Sequence, residues 1–546
     1  MHHKNHVSLK LAAAPVHRMQ SGVGASWHSI LNAPVGHGGS AFGGQPPVLP
    51  VHEPLWRSIE AQADWLKLRF IRLEFEWRQF EPRRGEFTWD SPGMRILDRI
   101  CAWAERAGAD VMLQQQWGGV AWNSFPEFRG DPAMETYSAP ADLHAFADGW
   151  MRLLEELSVR RGYRCIRWIN PINEPGYWWW HLPESYRLLR VEGNREASRR
   201  LQLSYLAEAC AILRRRLRAE HPAVRLMGPD ETDLPVYERL AAEPWFAAVD
   251  DVDFHSYNSV FDHEPLPAAW NYHIGDRIDS LVRRYCDEAH AAGKGLFLTE
   301  VGSMAYGYGA DNPAPGCHLS SLKDVEVLIR SLAAGVDGFS HWSFTNRGDI
   351  DGQWQLVDTW SIEHKNWLPE ARPHRPAFDV LGRAMRHVPK CARIFPVEVD
   401  GGRIGQPPHR RVWAVAAQDP STGVTRLLVV NNAEEPFEFT LSLPETRRGD
   451  GTASDAGAGA WSVLDPCSDK ATPLDRSLRD SRCRSGVLPP RQLVILSNGA
   501  ATPEERSLPA RYLPQHDIAK RPANASDSRL APSHLHPSSV IQSAIP

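Results

Sequence analysis

Two glutamates, each placed at the end of a short apolar run, are the residues of this chain best suited to acid–base chemistry. Glu174 follows the run Cys165–Ile169 and stands between Asn173 and a proline. Proline cannot donate to a β-ladder and favours extended geometry in the residue before it, so Glu174 is predicted at the C-terminal end of a strand. Glu300 ends the apolar run Gly295–Thr299 in a similar way. Two carboxyl groups that flank one pocket can catalyse a displacement together. One attacks the substrate or activates water, while the other protonates the departing atom.

Aromatic residues are concentrated close to Glu174. The stretch 177–180 that follows it reads Tyr-Trp-Trp-Trp, and the chain has 21 Trp against 18 Phe and 12 Tyr. A tryptophan offers a flat apolar face and one donor, which suits the apolar face of a sugar ring, although many of these rings are expected in the core. A lone glutamate in a loop is ordinarily exposed, so Glu300 is what favours a site over a surface carboxylate.

The first 350 residues repeat a short β-rich run followed by a helical segment. Eight strands that alternate with helices predict a parallel sheet closed into an α/β (β/α)8 TIM barrel, whose active site lies at the C-terminal strand ends. The predicted strands are 22–29, 70–77, 110–117, 165–173, 225–231, 249–258, 295–302 and 338–345, and the predicted helices are 94–106, 142–160, 196–220, 276–292 and 322–334.

Polar and apolar residues alternate in two of these runs. Successive side chains of a strand point to opposite faces, so the apolar face should meet the helices and the polar face the barrel interior. Buried charges are costly unless they are paired, which predicts an interior network of ion pairs. The residues placed inside by this pattern are Arg72, Glu74, Glu76, Asp253, His255 and Tyr257.

The sequence Asn173-Glu174-Pro175 at the end of the fourth predicted strand, with Glu300 at the end of the seventh, resembles the clan of retaining (β/α)8 glycoside hydrolases. That clan includes the family 5 cellulases and mannanases and related β-glycosidases. The resemblance implies that Glu174 is the acid/base and Glu300 the nucleophile. It also implies that Asn173 donates to the sugar 2-hydroxyl.

Further positions match the same clan. The resemblance implies that Arg72 keeps the nucleophile ionised, which predicts a lowered pKa for Glu300. It places His255 and Tyr257 near the nucleophile and Trp342 on the floor of the subsite where the bond breaks. The third strand departs from family 5, which often has a histidine there, because this chain has Gln114-Gln115-Gln116-Trp117.

Other residues are weaker candidates. Asp230 and Glu231 end the fifth predicted strand and either bind substrate or cap the following helix. The segment 349–354 is expected to be a sugar-contacting or solvated loop, and no ligand spacing supports a metal or another cofactor. The remaining candidates for lining a substrate pocket are Trp27, His28, Glu76, Trp117 and Trp122.

Four regions are predicted along the chain. Residues 1–19 form an N-terminal extension, 20–390 the catalytic barrel, 391–499 a small antiparallel β-sandwich and 500–546 a disordered tail. The resemblance implies that this sandwich is similar to the accessory β-domain of families 39 and 30 in that clan.

Composition excludes several classes of partner. The net charge of −5 over 546 residues gives no electrostatic basis for binding nucleic acid, and no apolar run is long enough for a membrane span. The N-terminal residues do not match a signal peptide, and the eight cysteines show no Cys-x-x-Cys pair. A cytoplasmic location with free thiols is therefore expected, while a Cys467–Cys483 bridge stays open.

The predicted activity is retaining hydrolysis of β-glycosidic bonds in oligosaccharides or glycosides, by double displacement through a covalent glycosyl-enzyme. An endo-β-glycanase is the nearest alternative. A transglycosylase would use the same residues, and a noncatalytic carbohydrate-binding barrel is disfavoured because both carboxylates are present. The expected partner is a carbohydrate, and the oligomeric state is left open.

Overall fold

The computed structural model describes residues 6–28, 53–115, 119–176, 180–191, 193–232, 234–259, 277–304, 317–345, 354–361, 366–401, 411–444, 446–447, 453–454, 461–464, 471–476 and 483–499. Eight parallel strands close into a barrel, as predicted. Each predicted strand overlaps one observed strand, and the eighth closes the ring by pairing with the first. In chain order the first to eighth barrel strands are Val23–His28, Phe70–Phe75, Asp110–Gln115, Ile166–Asn170, Arg225–Glu231, Asp251–Ser259, Leu296–Met304 and Gly338–His341.

Helices surround the barrel, and their ends follow local sequence signals. In the helix Pro92–Ala107, the Ser91 side chain accepts from the Met94 N–H, a proline occupies the first turn, and Gly108 ends the helix at φ 69°. The α-helices are Glu53–Leu66, Pro92–Ala107, Pro132–Tyr137, Leu143–Leu154, Pro183–Leu189, Arg195–Glu220, Arg283–Ala291, His318–Ala334 and Arg383–Arg386. Wider π-helical turns occupy Glu155–Arg160, Arg277–Val282 and Phe378–Gly382, and 3-10 turns occupy Trp77–Gln79, Ala121–Asn123, Pro126–Phe128, Leu240–Ala242 and Phe246–Ala248.

The barrel interior changes from apolar to charged along the strands. Five interior side chains near the N-terminal ends pack together as an apolar plug. Two residues further along the second, third and fourth strands, the interior positions are polar: Arg72, Gln114 and Asn170, all fully buried. Because the plug fills the lower interior, the polar groups are confined to the end of the barrel where the strands finish. The plug consists of Phe70, Met112, Trp168, Met227 and Phe297.

The second region is an eleven-stranded sheet that surrounds its own apolar core. The same core receives side chains from strands that are far apart in the sheet, such as those of Phe439 and Leu496, so the sheet folds over itself as a sandwich. Its strands are His6–Leu11, His17–Arg18, Arg393–Asp400, Val412–Gln418, Thr425–Asn431, Phe437–Ser442, Ser462–Leu464, Ala471–Pro473, Asp475–Arg476, Cys483–Leu488 and Gln492–Ser497. Two-stranded sheets pair Val357–Ser361 with Asn366–Pro373 and Thr446–Arg447 with Ala453–Ser454.

The N-terminal extension contributes to this second sheet. His6–Leu11 pairs antiparallel with Arg393–Asp400 and parallel with Phe437–Ser442, so it is an internal strand. The strand His17–Arg18 pairs with Arg393–Asp400 as well. The described residues on both sides of the barrel in sequence therefore contribute strands to the second domain.

The helix His318–Ala334 joins the two domains. The guanidinium of Arg330 lies 4.2 Å from the ring centroid of Trp413, and Asn432 donates to Glu326 at 2.6 Å. Glu326 also pairs with Arg330 and Lys323, each at 3.0 Å. These buried charges are mutually compensated, which is the condition for keeping them at a domain junction. Among the described residues, no helix has the length and hydropathy of a membrane span, and Cys467 lies outside them.

Candidate active site

Glu174 and Glu300 meet at the C-terminal end of the barrel. One carboxylate oxygen of each, together with a ring nitrogen of His255, lie within 4.8 Å of one another. Glu174 follows the fourth strand with φ 46°, a left-handed conformation that turns its side chain toward the barrel axis. Glu300 lies within the seventh strand, which continues to Met304. Both are largely buried, at 9% and 6% exposure, so their charges interact through protein more than through water.

Arg72 connects the nucleophile candidate to its neighbours. It is fully buried on the second strand, and its Nη1 lies 2.9 Å from Glu300 Oε2. The same guanidinium pairs with Glu74 and donates to Asn173 Oδ1. This contact uses the side-chain oxygen of Asn173 and not its amide N–H groups.

His255 and Tyr257 approach the pair from the sixth strand. His255 Nδ1 lies 2.9 Å from Glu174 Oε1 and 3.5 Å from Glu300 Oε2. The hydroxyl of Tyr257 donates to Glu300 Oε1. Tyr257 therefore hydrogen-bonds one oxygen of Glu300, while Arg72 and His255 lie beside the other oxygen as charged neighbours.

Asp230 lies beneath this group and does not cap a helix. Its carboxylate accepts from Arg72 and His255, at 3.1 Å in each case. Its neighbour Glu231 points away from the barrel and pairs with Arg199 at 2.6 Å. Asp230 thus lies inside the barrel against Arg72 and His255, a position that alternation along the strand does not predict.

A deeper polar layer supports Asp230. The backbone N–H of Asp230 donates to Asp253 Oδ1 at 2.9 Å, and Asn170 donates to Asp253 Oδ2 at 2.7 Å. The Thr299 hydroxyl donates to Asp230 Oδ1 at 3.2 Å. Burial and the adjacent Asp230 charge raise the pKa of Asp253 well above its usual value, so Asp253 is the protonated member of this carboxyl pair.

Trp342 and His28 form another wall of the site. His28 Nδ1 lies 2.8 Å from Glu74 Oε2, and the His28 ring lies 5.1 Å from the Trp342 ring. Trp342 belongs to one apolar cluster with Tyr257 and Trp354. Trp354 thus packs beside the site, at the end of the segment 349–354 that the sequence predicts as a sugar-contacting or solvated loop.

Several candidate pocket residues lie elsewhere. Trp27 packs between the barrel and its helices, with its ring 4.7 Å from Phe344, because His28 and not Trp27 faces inward. The indole of Trp122 donates to the carbonyl of Glu81 at 3.2 Å. Glu76 is held by Arg78 at 2.7 Å. Trp180 is fully buried in the core, and Trp117, Tyr177, Trp178, Trp179 and residues 349–353 lie outside the described residues.

The electrostatics differ in one respect from the sequence expectation. Burial raises the pKa of Glu300 to about 7, although the charges of His255 and Arg72 act to lower it. Arg72 therefore stands where the sequence predicts, but desolvation of the carboxylate outweighs its attraction. Burial alone would lower the pKa of His255, but the charges of Glu300 and Asp230 outweigh it and raise that pKa well above its usual value.

Two groups of side chains offer donor atoms that lie close enough together for a metal ion. The first group consists of Glu174, His255 and Glu300. Arg72 lies beside it and His255 is itself cationic, and these positive charges disfavour binding of a metal cation. The second lies at the opposite end of the barrel, where His17 and His290 flank Asp337. Their rings are stacked with an interplanar angle of 14°, so the lone pairs do not converge on one ion. Neither arrangement supports a metal site.

Comparisons with known proteins identify the fold. No protein-family model and no curated protein matches the chain. A family 30 subfamily 8 xylanase from Clostridium acetobutylicum is similar at 12% identity over 90% of this chain and 99% of that chain, with a TM-score of 0.52. The catalytic domain of a family 30 xylanase from Talaromyces cellulolyticus is similar at 11% identity over 91% of this chain and 100% of that chain, with a TM-score of 0.55. A family 39 enzyme from Xanthomonas axonopodis pv. citri is similar at 13% identity over 91% of this chain and 98% of that chain, with a TM-score of 0.51. The chain therefore has the fold of these glycoside hydrolases, a (β/α)8 barrel joined to a β-domain.

Proposed function

We propose that this chain is a retaining glycoside hydrolase that cleaves β-glycosidic bonds in oligosaccharides or small glycosides. The observation that supports it most is the approach of a Glu174 and a Glu300 oxygen to within 4.8 Å. Retaining enzymes place their two carboxyl groups about 5–5.5 Å apart, whereas inverting enzymes leave about 6.5–9.5 Å for a water molecule.

In the first step Glu300 attacks the anomeric carbon, and the bond from that carbon to the departing oxygen breaks. Glu174 transfers its proton to the departing oxygen, so the leaving group departs as a neutral alcohol. The Tyr257 hydroxyl donates to one oxygen of Glu300, and the Arg72 guanidinium lies 2.9 Å from the other, so both act to orient the carboxylate. The product is a glycosyl ester of Glu300.

In the second step Glu174, now a carboxylate, takes a proton from water, and the water oxygen attacks the anomeric carbon. The ester bond to Glu300 breaks and returns its electron pair to the carboxylate. His255, held 2.9 Å from Glu174 Oε1, stabilises that residue's anionic form during this step. Two inversions at one carbon give overall retention.

Glu300→Ala tests the proposal. We expect it to abolish hydrolysis of aryl β-glycosides, and we expect azide to restore turnover and yield the α-glycosyl azide, because azide occupies the space of the carboxylate. The panel contains gluco, galacto, xylo, manno and fuco substrates, and product configuration is read by NMR. Glu231→Gln is the matched control, since it removes a buried carboxylate that points away from the site. Substantial residual activity in Glu300→Ala without azide would reject the proposal.

An endo-β-glycanase is the second candidate, because three of the similar structures are described as xylanases, one of them as an endoxylanase, and another as an endo-β1,6-glucanase. Oligosaccharides and soluble polymers incubated with the wild-type protein separate the two. Release of single sugars from one end supports the glycosidase, whereas internal cleavage with a rapid fall in polymer length supports the glycanase.

A further inference from the structure

The Asp230 carboxylate contacts two cations at once. Its Oδ2 accepts from Arg72 Nη2 at 3.1 Å, and its Oδ1 accepts from His255 Nε2 at 3.1 Å and from the Thr299 hydroxyl at 3.2 Å. The side chain is fully buried. Asp230 therefore acts on neighbouring side chains and does not itself contact a substrate.

Both cations turn their other side to the reacting carboxylates. Arg72 Nη1 lies 2.9 Å from Glu300 Oε2, and His255 Nδ1 lies 2.9 Å from Glu174 Oε1. The cations thus separate Asp230 from the two glutamates. A planar guanidinium or imidazole that is held at one edge presents its opposite edge in a fixed direction.

The backbone of Asp230 also contacts one of the two glutamates. Its carbonyl accepts from the Glu174 N–H at 3.1 Å. The pairing of the fifth and sixth strands passes from Pro229 to Glu231, which leaves Asp230 as the extra residue of a β-bulge, with φ 58°. A bulge re-aims a side chain, and here it turns Asp230 into the barrel where plain alternation would turn it out.

We propose that Asp230 is a positioning residue of the reaction, whose carboxylate holds Arg72 and His255 in the orientation in which they serve Glu300 and Glu174. This role rests on the proposed function and adds to it a residue from the fifth strand. Arg72 and His255 donate to different oxygens of Asp230, and asparagine replaces one of these oxygens with an N–H donor, so Asp230→Asn retains the side-chain shape but loses one of the two contacts.

The direction in which the pH–activity profile shifts on replacement of Asp230 distinguishes a positioning role from the effect of its negative charge alone. The acid limb of kcat/KM reports the ionisation of the nucleophile in the free enzyme. If Asp230 positions the cations, its replacement loosens their hold on Glu300 and moves that limb to higher pH. If Asp230 acts only as a nearby negative charge, its removal favours ionised Glu300 and moves the limb to lower pH.

Steady-state kinetics of Asp230→Asn, with an aryl glycoside that the wild-type protein hydrolyses, test this role. We expect kcat to fall by about 100-fold, the loss that a small misplacement of reacting groups produces. KM should change little because Asp230 is buried, and the acid limb should rise by about one pH unit. In Glu231→Gln, the matched control on the same strand, the limb should stay at its wild-type position.

An unmoved limb in folded Asp230→Asn, or a limb moved to lower pH, overturns the role. Should that variant fail to fold, as judged by circular dichroism, Thr299→Val is measured in its place. It removes one hydrogen bond to the Asp230 carboxylate, and it should raise the limb by a smaller amount; no rise would overturn the role as well. Absence of turnover by the wild-type protein on every glycoside rejects the proposed function itself, so the two failures are distinguishable.

Discussion

Glu174 and Glu300 have the same side chain, and their neighbours distinguish them. Glu300 accepts a hydrogen bond from Tyr257 at one oxygen and has Arg72 as a charged neighbour at the other. Glu174 is held through one oxygen by His255. A nucleophile must keep one orientation, whereas an acid/base must exchange a proton with the leaving group and with water. These contacts support the proposed attack by Glu300 and the proposed proton transfer by Glu174.

Replacement of Glu174 by alanine should separate substrates by leaving group. We expect Glu174→Ala to carry out the first step on dinitrophenyl glycosides at nearly the wild-type rate, because their leaving group needs no proton. Loss on unactivated glycosides should be about 100-fold or more, the usual contribution of general acid catalysis. The measurement is a plot of log kcat/KM against leaving-group pKa for wild type and variant. Equal loss across the series would contradict the acid role.

At the scale of elements, the strands follow their period-two pattern except where bulges interrupt it. Thr299 is skipped in the pairing of the sixth and seventh strands, since Phe254 pairs with Leu298 and His255 with Glu300. Phe297 faces the interior plug, so strict alternation would turn Glu300 outward. The bulge at Thr299 turns Glu300 inward, just as the bulge at Asp230 turns that residue inward.

The strand His6–Leu11 supports a prediction about the second sheet. Leu9 is fully buried in the core of that sheet, whereas Lys10 is exposed and pairs with the equally exposed Glu398. Leu9→Ala should lower the free energy of unfolding by about 2–5 kcal/mol, and Lys10→Ala on the same strand by less than about 0.5 kcal/mol. Urea titration followed by circular dichroism measures both. Equal effects would show that the strand does not contribute its core side chain as described.

At the scale of the whole molecule, a charged clamp ties the N-terminal segment to the base of the barrel. Asp337, which precedes the eighth strand, lies 3.1 Å from His17 Nε2 and 2.8 Å from His290 Nε2. Its Oδ1 also accepts from the Gln20 N–H at 3.1 Å and its Oδ2 from the Leu296 N–H at 3.0 Å. One carboxylate thus joins the strand leading from the second domain to two parts of the barrel.

The clamp should make stability depend on pH. The hydrogen bond to Asp337 raises the pKa of His290, so its contribution is complete below the unfolded value of about 6.5 and is lost as pH rises through the folded value. Burial would raise the pKa of Asp337, but His17 and His290 outweigh it and lower that pKa. The Asp337 contribution is therefore present above about pH 4 and lost on acidification.

We expect the stability difference between wild type and His290→Gln to be largest between about pH 4 and 6.5 and to shrink at higher pH. Denaturant titrations across this range measure it. His144→Gln, which alters an exposed histidine on the helix Leu143–Leu154, is the control and should show no such trend. A difference that is constant from acid to alkaline pH would contradict the clamp.

The sequence by itself determined the barrel, the second β-rich domain and the two glutamates. Apolar periodicity and proline placement are local properties, so they are readable without tertiary contacts, and Arg72, His255 and Tyr257 follow from alternation along single strands. Only the tertiary structure decided the inward turn of Asp230, the outward packing of Trp27, the entry of His6–Leu11 into the second sheet and the raised pKa of Glu300. Bulges, strand partners and desolvation depend on what the rest of the chain places beside a residue, and no local pattern encodes them.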